Sequence, residues 1–255
     1  MEHEKYHYSS MGDIDAKAKE ADLYLPLSEH TDILFTPAEK QKLRFENRFV
    51  IQPMEGCDAT PDGTPSELTM RRYDRFARSG AGMIWGEAVA IQRQARAKPN
   101  QLLASDAVID SYKRLVEHIK ETARREHGFA PVVLMQAAHS GRYSNPNGYP
   151  EPIIGYNNAC FEKDKPIDKS RIITDDELKR LEDAFGWAAN FAERAGFDGV
   201  DIKCCHRYLC SEMLSAYDRP GEYGGSFENR TRLLRNGIKS AQANTSAGFI
   251  VTSSL

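Results

Sequence analysis

Short apolar runs alternate with longer amphipathic segments from about residue 48 to the end of the chain, and this alternation constrains the fold more than any other feature. Short β-branched or apolar runs separated by segments of helical spacing are typical of βα units and a parallel sheet. Five runs qualify as strands, at 48–54, 81–88, 131–138, 198–204 and 248–255. The sequence therefore predicts an α/β protein whose successive strands are parallel.

Helix start and stop signals between these runs predict four helices, at about 66–79, 107–127, 174–195 and 226–243. Thr174 and Glu177 have the spacing of a capping box at the start of the third helix. Gly80, Gly128 and Gly196 lie directly after the first three helices, where glycine readily adopts the left-handed conformation of a C-cap. Each helix is therefore predicted to run back from one strand end to the start of the next strand.

Polar residues follow several of the predicted strands, and this distribution selects the type of parallel sheet. A dinucleotide-binding doubly wound sheet would carry a GxGxxG turn after its first strand, but the sequence there is EGCD at 55–58. A (β/α)8 barrel instead builds its active site from the carboxyl ends of many strands. We therefore expect the TIM-barrel type, with strand-end polar residues Gln52, Glu55, Glu87, Gln136, His139, Lys203, His206 and Tyr208.

The chain length accommodates only part of such a barrel. Eight βα units take about 250 residues, whereas this chain of 255 residues reaches only its fifth predicted strand. We expect a polar N-terminal extension at 1–32 and, at 33–255, the N-terminal part of a barrel that contains a long excursion at 139–173. Strand edges left unpaired invite association, so we expect either a C-terminally truncated product or completion by another chain, such as a homo-oligomer.

The excursion at 139–173 is rich in Pro, Gly and Asn, and a loop of this length in a compact domain is usually functional. His139 and Arg142 lie at its start. The sequence alone leaves two roles open for His139 and Arg142. The two residues either steer a substrate or brace the excursion against the barrel.

Composition and charge exclude several functional classes. The chain is 40% hydrophobic and 28% charged, as in an ordinary globular protein, and its formal net charge of −3 provides no basic stripe for a nucleic acid or an anionic membrane. The apolar stretch at 81–91 is far shorter than the roughly 20 residues of a membrane helix. The polar N-terminus resembles no signal peptide, so we expect a cytoplasmic protein. Five scattered cysteines predict reduced thiols and no metal site.

The densest group of reactive side chains follows the fourth predicted strand, where Lys203, His206 and Tyr208 lie within six residues. Lys203 and His206 can donate hydrogen bonds to a carbonyl oxygen, and a nearby phenol can deliver a proton to carbon. Alternatively, Asp201 and Lys203 share one face of the strand and form an ion pair, with His206 and Tyr208 in structural roles. A third interpretation makes Lys203 the nucleophile of a Schiff-base lyase.

Longer motifs surround this group. The sequence reads GFDGVDIKCCHRYL at 196–209 and YGGSFENR at 223–230, and these segments are preceded in order by NRFVIQPM at 47–54, GAGMIWGEA at 80–88 and QAAHSGR at 136–142. The ordered set covers nearly all of the chain after the N-terminal extension. It resembles the old yellow enzyme family of NADH:flavin oxidoreductases. The resemblance implies a TIM barrel that holds FMN at its C-terminal face.

The resemblance also assigns expected contacts with the flavin. Pro53, Met54, Glu55 and Ala88 would line the FMN. Gln136 would hydrogen-bond the pyrimidine edge of its ring system. The iron–sulfur cysteine run of longer family members does not occur in this sequence, so no cluster is predicted.

On the substrate side, the resemblance implies that Lys203 and His206 hold an electron-withdrawing oxygen and that Tyr208 is the proton donor. The implied reaction takes hydride from NADH or NADPH onto FMN and passes it to an activated alkene or a related small molecule, with the redox chemistry supplied by the cofactor. A non-catalytic remnant or interaction module is the alternative, because the strand-seven and strand-eight loops that hold the FMN phosphate in the family have no counterpart here.

Three residues depart from the usual family pattern. Lys203 stands where a histidine is usual, and Ser254 lies near the position of a flavin-contacting arginine. Glu55 replaces a small residue. A carboxylate at that position either disfavours reduced flavin, recognises a cationic substrate such as an amine, or pairs with Lys203 or Arg142.

Overall fold

In a computed structural model of the chain, residues 5–40 and 43–255 are described. A short antiparallel pair, β1 (Ala38–Lys40) and β2 (Leu43–Phe45), precedes the main sheet. The main sheet has five parallel strands in this spatial order: β3 (Val50–Ile51), β4 (Met83–Ala90), β5 (Val132–Ala138), β6 (Gly199–Ile202) and β7 (Ile250–Thr252). The spatial order equals the chain order, as in a barrel built from successive βα units.

Eight α-helices occur in the described residues. They are α1 (Met11–Glu20), α2 (Glu67–Ala77), α3 (Ile109–His127), α4 (Ala159–Glu162), α5 (Asp175–Arg194), α6 (Leu209–Met213), α7 (Phe227–Arg230) and α8 (Arg232–Ala243). Short 3₁₀ turns lie at Asp32–Phe35, Arg93–Ala95, Asp106–Val108, Gly141–Tyr143 and Lys169–Arg171. Within the described part of the chain, no helix is long and apolar enough to cross a membrane.

The predicted helix punctuation is confirmed in detail. Thr174 accepts a hydrogen bond from the backbone N–H of Glu177 at 3.2 Å, and the Glu177 carboxylate accepts one from the backbone N–H of Thr174 at 2.8 Å. Gly128 ends α3 with φ +80°, a left-handed conformation that costs glycine little because it has no Cβ. These local signals fix the helix ends before any tertiary contact is considered.

Several predictions of secondary structure were wrong in their extent, and the fifth predicted strand, at 248–255, pairs only over Ile250–Thr252. The first predicted strand, at 48–54, pairs only over Val50–Ile51, and the residues after it leave the sheet as a loop. The fourth predicted helix is divided at Thr231 into α7 and α8, because Ser226 caps a short first turn and the Thr231 hydroxyl donates back to the Phe227 carbonyl at 2.8 Å. The polar extension predicted at 1–32 contains α1, which the sequence analysis missed, as it missed the β1–β2 pair.

The core lies between the sheet and the helices α3, α5 and α8. Phe185 and Phe191 of α5 are fully buried, and Tyr112 of α3 meets Phe191 edge-to-face with ring centroids 5.2 Å apart. Gly237 of α8 lies against Phe185, where an added Cβ would be only 3.0 Å from the ring. The packing of α8 on α5 therefore depends on one large and one minimal side chain.

The contact between α5 and α8 yields a stability prediction. Phe185→Ala removes a fully buried ring and should lower the free energy of unfolding by about 3–5 kcal/mol. Phe227→Ala is the matched control, because that side chain is 66% exposed and its loss should cost about 0.5 kcal/mol or less. Urea unfolding followed by circular dichroism measures both changes. Equal losses for the two variants would contradict this account of the core.

Candidate active site

The loop after β3 carries three of the expected site residues. Pro53 and Glu55 are half-buried, whereas Met54 is 74% exposed. An apolar side chain this exposed at a strand end leaves an uncovered apolar surface at the carboxyl edge of the sheet. The loop thus presents Pro53 and Met54 as the apolar rim of the site.

A buried ionic network fixes this loop to the barrel. Arg72 Nη2 of α2 donates to Asp58 Oδ1 and to Glu87 Oε1, both at 2.8 Å, and the backbone N–H of Gly56 donates to Glu87 Oε2 at 2.8 Å. Burial raises the pKa of Glu87, and Arg72 opposes that shift. The sequence analysis noted Glu87 as a strand-end residue but missed Arg72, which only the fold brings to the network.

The ends of β4, β5 and β6 form the floor of the site. Ala88 is fully buried, and Gln136 Nε2 donates to Asp201 Oδ2 at 2.7 Å. Ser254 Oγ donates to the same oxygen at 3.0 Å, so Ser254 and Gln136 both hold the Asp201 carboxylate. Burial raises the pKa of Asp201. Hydrogen bonds from Gln136, Ser254 and Trp85 oppose that rise in the pKa of Asp201.

Lys203 forms an ion pair across the mouth of the sheet. Its Nζ lies 2.6 Å from Glu55 Oε1, and the two side chains are 2% and 21% exposed. The expected alternative of an Asp201–Lys203 pair is wrong, because Asp201 is engaged by Gln136 and Ser254 instead. The suggestion that Glu55 pairs with Lys203 is confirmed.

Tyr208 binds to the same carboxylate. Its hydroxyl donates to Glu55 Oε1 at 2.8 Å and lies 3.1 Å from Oε2, and Lys203 Nζ lies 4.2 Å from the centroid of the Tyr208 ring. Burial and the adjacent Glu55 carboxylate raise the pKa of Tyr208 well above its ordinary value. We call Glu55, Lys203 and Tyr208 the strand-end triad.

A strained turn presents the remaining site residue. His206 and Arg207 both have left-handed backbone conformations, with φ +58° and +55°, which non-glycine residues rarely adopt in succession. The backbone N–H of Tyr208 donates to the Cys205 carbonyl at 3.1 Å and closes the turn. The rings of His206 and Tyr208 consequently meet edge-to-face, with centroids 6.3 Å apart.

Glu55, His206 and Tyr208 line one open pocket of about 540 Å³. The other walls come from three loops, with Cys57 after β3, Ala97 and Lys98 after β4, and Arg142, Tyr143, Ser144, Asn145 and Pro150 in the excursion. The sequence analysis named Arg142 among these residues and missed the rest. Several of these lie in the excursion at 139–173, whose unusual length was the available signal. The pocket is the right size for a small organic molecule.

The excursion is braced by buried charges. Arg142 Nε donates to Glu212 Oε2 at 2.5 Å, and Arg142 Nη1 donates to Glu162. His139 is 3% exposed, and its Nδ1 accepts the backbone N–H of Gly141 at 3.1 Å. Both residues therefore brace the excursion, and Arg142 additionally forms part of the pocket wall.

The site residues can be tested for their fit to FMN. A flavin ring has an apolar dimethylbenzene end and a polar pyrimidine edge. Ala88 lies in one buried cluster with Ala97, Ala138 and Tyr208, so small side chains leave room beside the phenol. The exposed Met54 and these small side chains fit the apolar part of a flavin ring, and the Gln136 amide fits its polar edge.

The parallel strands and the pocket at their carboxyl ends define a site of the barrel type, and comparison with known sequences gives the class of protein. The sequence model of the NADH:flavin oxidoreductase / NADH oxidase family matches residues 33–252. The chain belongs to this family. The resemblance seen in the sequence motifs is therefore confirmed, as is the assignment to a family of flavin oxidoreductases.

Similarity to individual relatives supports the same family assignment. The NADPH dehydrogenase of Halalkalibacterium halodurans is 32% identical over 213 residues, which cover 82% of this chain and 59% of the relative. Among solved structures, the old yellow enzyme homologue from Zymomonas mobilis is 29% identical with a TM-score of 0.69, covering 83% of this chain and 60% of that one. Morphinone reductase in complex with tetrahydroNAD is 26% identical with a TM-score of 0.71, covering 86% and 62%.

These structures confirm the predicted TIM-barrel fold class. The chain spans about 59% of the length of the curated relative. The described residues contain five parallel strands of the barrel, as predicted. The roles of the individual site residues are not decided by these similarities.

Burial of His139 yields a pH prediction. Burial lowers the pKa of His139 to about 4 from its ordinary value of 6.5. The folded state therefore disfavours the protonated ring, so the contribution of His139 to stability is fully present above pH 6.5 and is lost as the pH falls through 4. At about 1.36 kcal/mol per pH unit, the loss amounts to about 3 kcal/mol.

Urea unfolding of the wild type and of His139→Gln between pH 7 and 4 tests this effect. The unfolding free energy of the wild type should fall more steeply with decreasing pH than that of His139→Gln, because the variant has no imidazole to protonate. His30→Gln is the control, since His30 is exposed in the N-terminal segment and its replacement should leave the pH profile of the wild type unchanged. Parallel profiles for the wild type and His139→Gln would refute the assignment.

Proposed function

We propose that the protein is an FMN-dependent oxidoreductase of the old yellow enzyme type that passes hydride from NADH or NADPH to an activated alkene or a related small molecule. The observation that carries this proposal is the arrangement of Tyr208 and His206 in one pocket, at the strand ends that also bear Ala88 and Gln136. A proton donor and a hydrogen-bond donor in a single pocket are what reduction of a polarised double bond requires.

Pro53, Met54, Ala88 and Gln136 would hold the FMN ring. The exposed thioether of Met54 and the small Ala88 supply apolar contact, and the Gln136 amide, held by Asp201 at 2.7 Å, supplies hydrogen bonds to the pyrimidine edge. When bound, FMN supplies the hydride transfer between nicotinamide and substrate. Glu55 was expected among the flavin contacts, and we now assign it to the substrate side because it binds Tyr208.

His206 is the residue best placed to hold the substrate oxygen. Lys203, its expected partner in that role, has its ammonium engaged by Glu55 at 2.6 Å. The same ion pair neutralises Glu55, which therefore offers no free negative charge to a cationic amine. This charge balance favours a neutral, carbonyl-activated alkene over an amine. It also leaves no free amine on Lys203 for a Schiff base, so we do not propose the lyase.

Several properties of the whole protein stay predictions. We propose a small-molecule substrate and, from the polar N-terminus and the odd, scattered set of cysteines, a cytoplasmic setting. We also retain the division into an extension at 1–32 and a barrel segment at 33–255. Association of copies through the outer edges of β3 and β7 stays a prediction, since these are the outer strands of the described sheet.

The test begins with the absorption spectrum of the chain after incubation with FMN and desalting. We expect retained flavin, which NADPH or NADH should reduce and 2-cyclohexen-1-one should reoxidise. A protein that retains no flavin and oxidises no nicotinamide would overturn the proposal and favour a non-catalytic interaction module.

Tyr208→Phe then tests the proton donor. General acid catalysis contributes about 10²–10⁴-fold to a rate. The variant should therefore slow reoxidation of the flavin by the alkene by at least about 100-fold and leave reduction of the flavin by NADH or NADPH nearly intact. Tyr143→Phe is the matched control, because Tyr143 is a half-exposed phenol of the same pocket with its ring 6.0 Å from that of Tyr208. Equal losses in both half-reactions would contradict the assigned role.

A further inference from the structure

We propose that Glu55 is the proton-holding partner of Tyr208: it takes the phenolic proton when Tyr208 removes a proton from the substrate and returns it when Tyr208 donates one. Glu55 is in this sense a positioning residue that acts through Tyr208. The inference rests on the proposed function, which makes Tyr208 the group that exchanges a proton with the substrate.

The hydrogen bonds of the strand-end triad are the first support. Tyr208 donates to Glu55 Oε1 at 2.8 Å, and Lys203 Nζ approaches the same oxygen at 2.6 Å. One carboxylate oxygen thus accepts from a phenol and an ammonium at once. Charge-assisted hydrogen bonds of this kind are shorter and stronger than neutral ones, and they fix the direction in which the phenolic proton lies.

Burial strengthens the interactions of Glu55 with Lys203 and Tyr208. Lys203 is nearly inaccessible and Glu55 is largely so, and in such surroundings charges interact more strongly than in water. Glu55 also lines the pocket of about 540 Å³, so it is reached by solvent protons from that side. A carboxylate with one oxygen on a buried phenol and an opening to solvent can exchange protons between them.

The Tyr208 hydroxyl points its proton at Glu55. The lone pairs of the phenolic oxygen are therefore available to accept a hydrogen bond or a proton from a bound molecule. In the accepting step, an X–H bond of the substrate breaks as an O–H bond forms on Tyr208, and the original Tyr208 proton moves to Glu55. When bound, FMN would accept the hydride that the substrate loses together with this proton, as the proposed function requires.

The donating step is the reverse. The Tyr208 O–H bond breaks as a C–H bond forms on the substrate, and Glu55 in its carboxylic acid form passes its proton to the phenolic oxygen. Glu55 is then a carboxylate again, paired with Lys203, and takes its next proton from water in the pocket. When bound, FMN would supply the hydride for this direction. No other oxidant or reductant is needed in either direction.

A purely structural ion pair between Glu55 and Lys203 is the rival explanation, and the electrostatics of Tyr208 separate the two. The groups that face the phenol come from three segments: Glu55 and Cys57 after β3, Tyr143 in the excursion, and Lys203, Cys205 and His206 around β6. Of these, Glu55 is the only one that accepts a hydrogen bond from Tyr208 among the described residues. A relay requires that this contact control the ionisation of Tyr208.

The first readout needs neither flavin nor turnover. Tyrosine ionisation is followed by absorbance at 295 nm during alkaline titration, and the Tyr208 component is the difference between each protein and its Tyr208→Phe counterpart. In Glu55→Gln the pKa of Tyr208 should fall by at least about one unit, because a negative charge is lost and Lys203 remains 4.2 Å from the ring. Glu55→Asp should keep a raised pKa, and Tyr143→Phe should leave it unchanged.

Glu55→Gln leaves Lys203 buried without its partner and can fail to fold for that reason. The double variant Glu55→Gln/Lys203→Met replaces the ion pair with two neutral side chains of similar volume, and it allows the same test. Its Tyr208 also loses the carboxylate acceptor, so the pKa should again lie below that of the wild type. A Tyr208 pKa unchanged from the wild type in whichever variant folds would overturn the inference.

The second readout separates this inference from the proposed function. In flavin-loaded protein, Glu55→Gln should slow reoxidation of the flavin by 2-cyclohexen-1-one at least about 10-fold and flatten the pH dependence of that rate. It should leave reduction of the flavin by NADH or NADPH unchanged. Glu55→Asp should restore part of the reoxidation rate. Normal alkene reduction with an unchanged pH profile would refute the relay while the function stands. If no flavin is retained, the function fails and the titration alone decides whether Glu55 controls the Tyr208 proton.

Discussion

The contact between Glu55 and Lys203 joins the loop after the first strand of the parallel sheet to the end of the fourth. In a flat sheet these strands would be three spacings of about 4.8 Å apart, roughly 14 Å. A separation of 2.6 Å between Oε1 and Nζ is reached because the sheet curls as a barrel segment does and the 52–55 loop crosses its carboxyl edge. Without that closure, Tyr208 and the pocket would lack one wall.

The polar groups of the site are held by networks rather than by single bonds. The loop with Glu55 is fixed by Arg72 and Glu87, and the floor is fixed by Gln136 on Asp201. Buried charges rarely add net stability, because their desolvation offsets much of their attraction. Their value here is geometric, because hydrogen-bonded support of this kind holds the side chains of a site in place.

Much of the fold was predictable because local signals agreed with the global arrangement. The capping box at Thr174 and the glycine at 128 set helix ends directly, and the apolar runs gave all five strands of the sheet. The α1 helix was missed because its one buried residue, Ala18, leaves no apolar stripe, although Ser10 and Asp13 form a capping box. The division at Thr231 was missed because a side-chain hydrogen bond to the Phe227 carbonyl has no periodic signal.

The site was predictable only in part. Tyr208 and His206 were found because they follow a strand within a dense motif, and their sequence neighbours share the same turn. The partner of Lys203 was left open, since 148 positions separate it from Glu55 and no local pattern encodes that distance. The walls supplied by Lys98 and Tyr143 belong to loops, whose paths depend on what they pack against.

The closure of the strand ends is the central claim, and a double-mutant cycle tests it most directly. Unfolding free energies of the wild type, Glu55→Gln, Lys203→Met and the double variant give the coupling energy between the two side chains. A partly buried pair in contact should show a coupling of at least about 1 kcal/mol, with the double variant more stable than the sum of the single losses implies. A coupling indistinguishable from zero would mean that the two strand ends do not meet, and the site as described here would not exist.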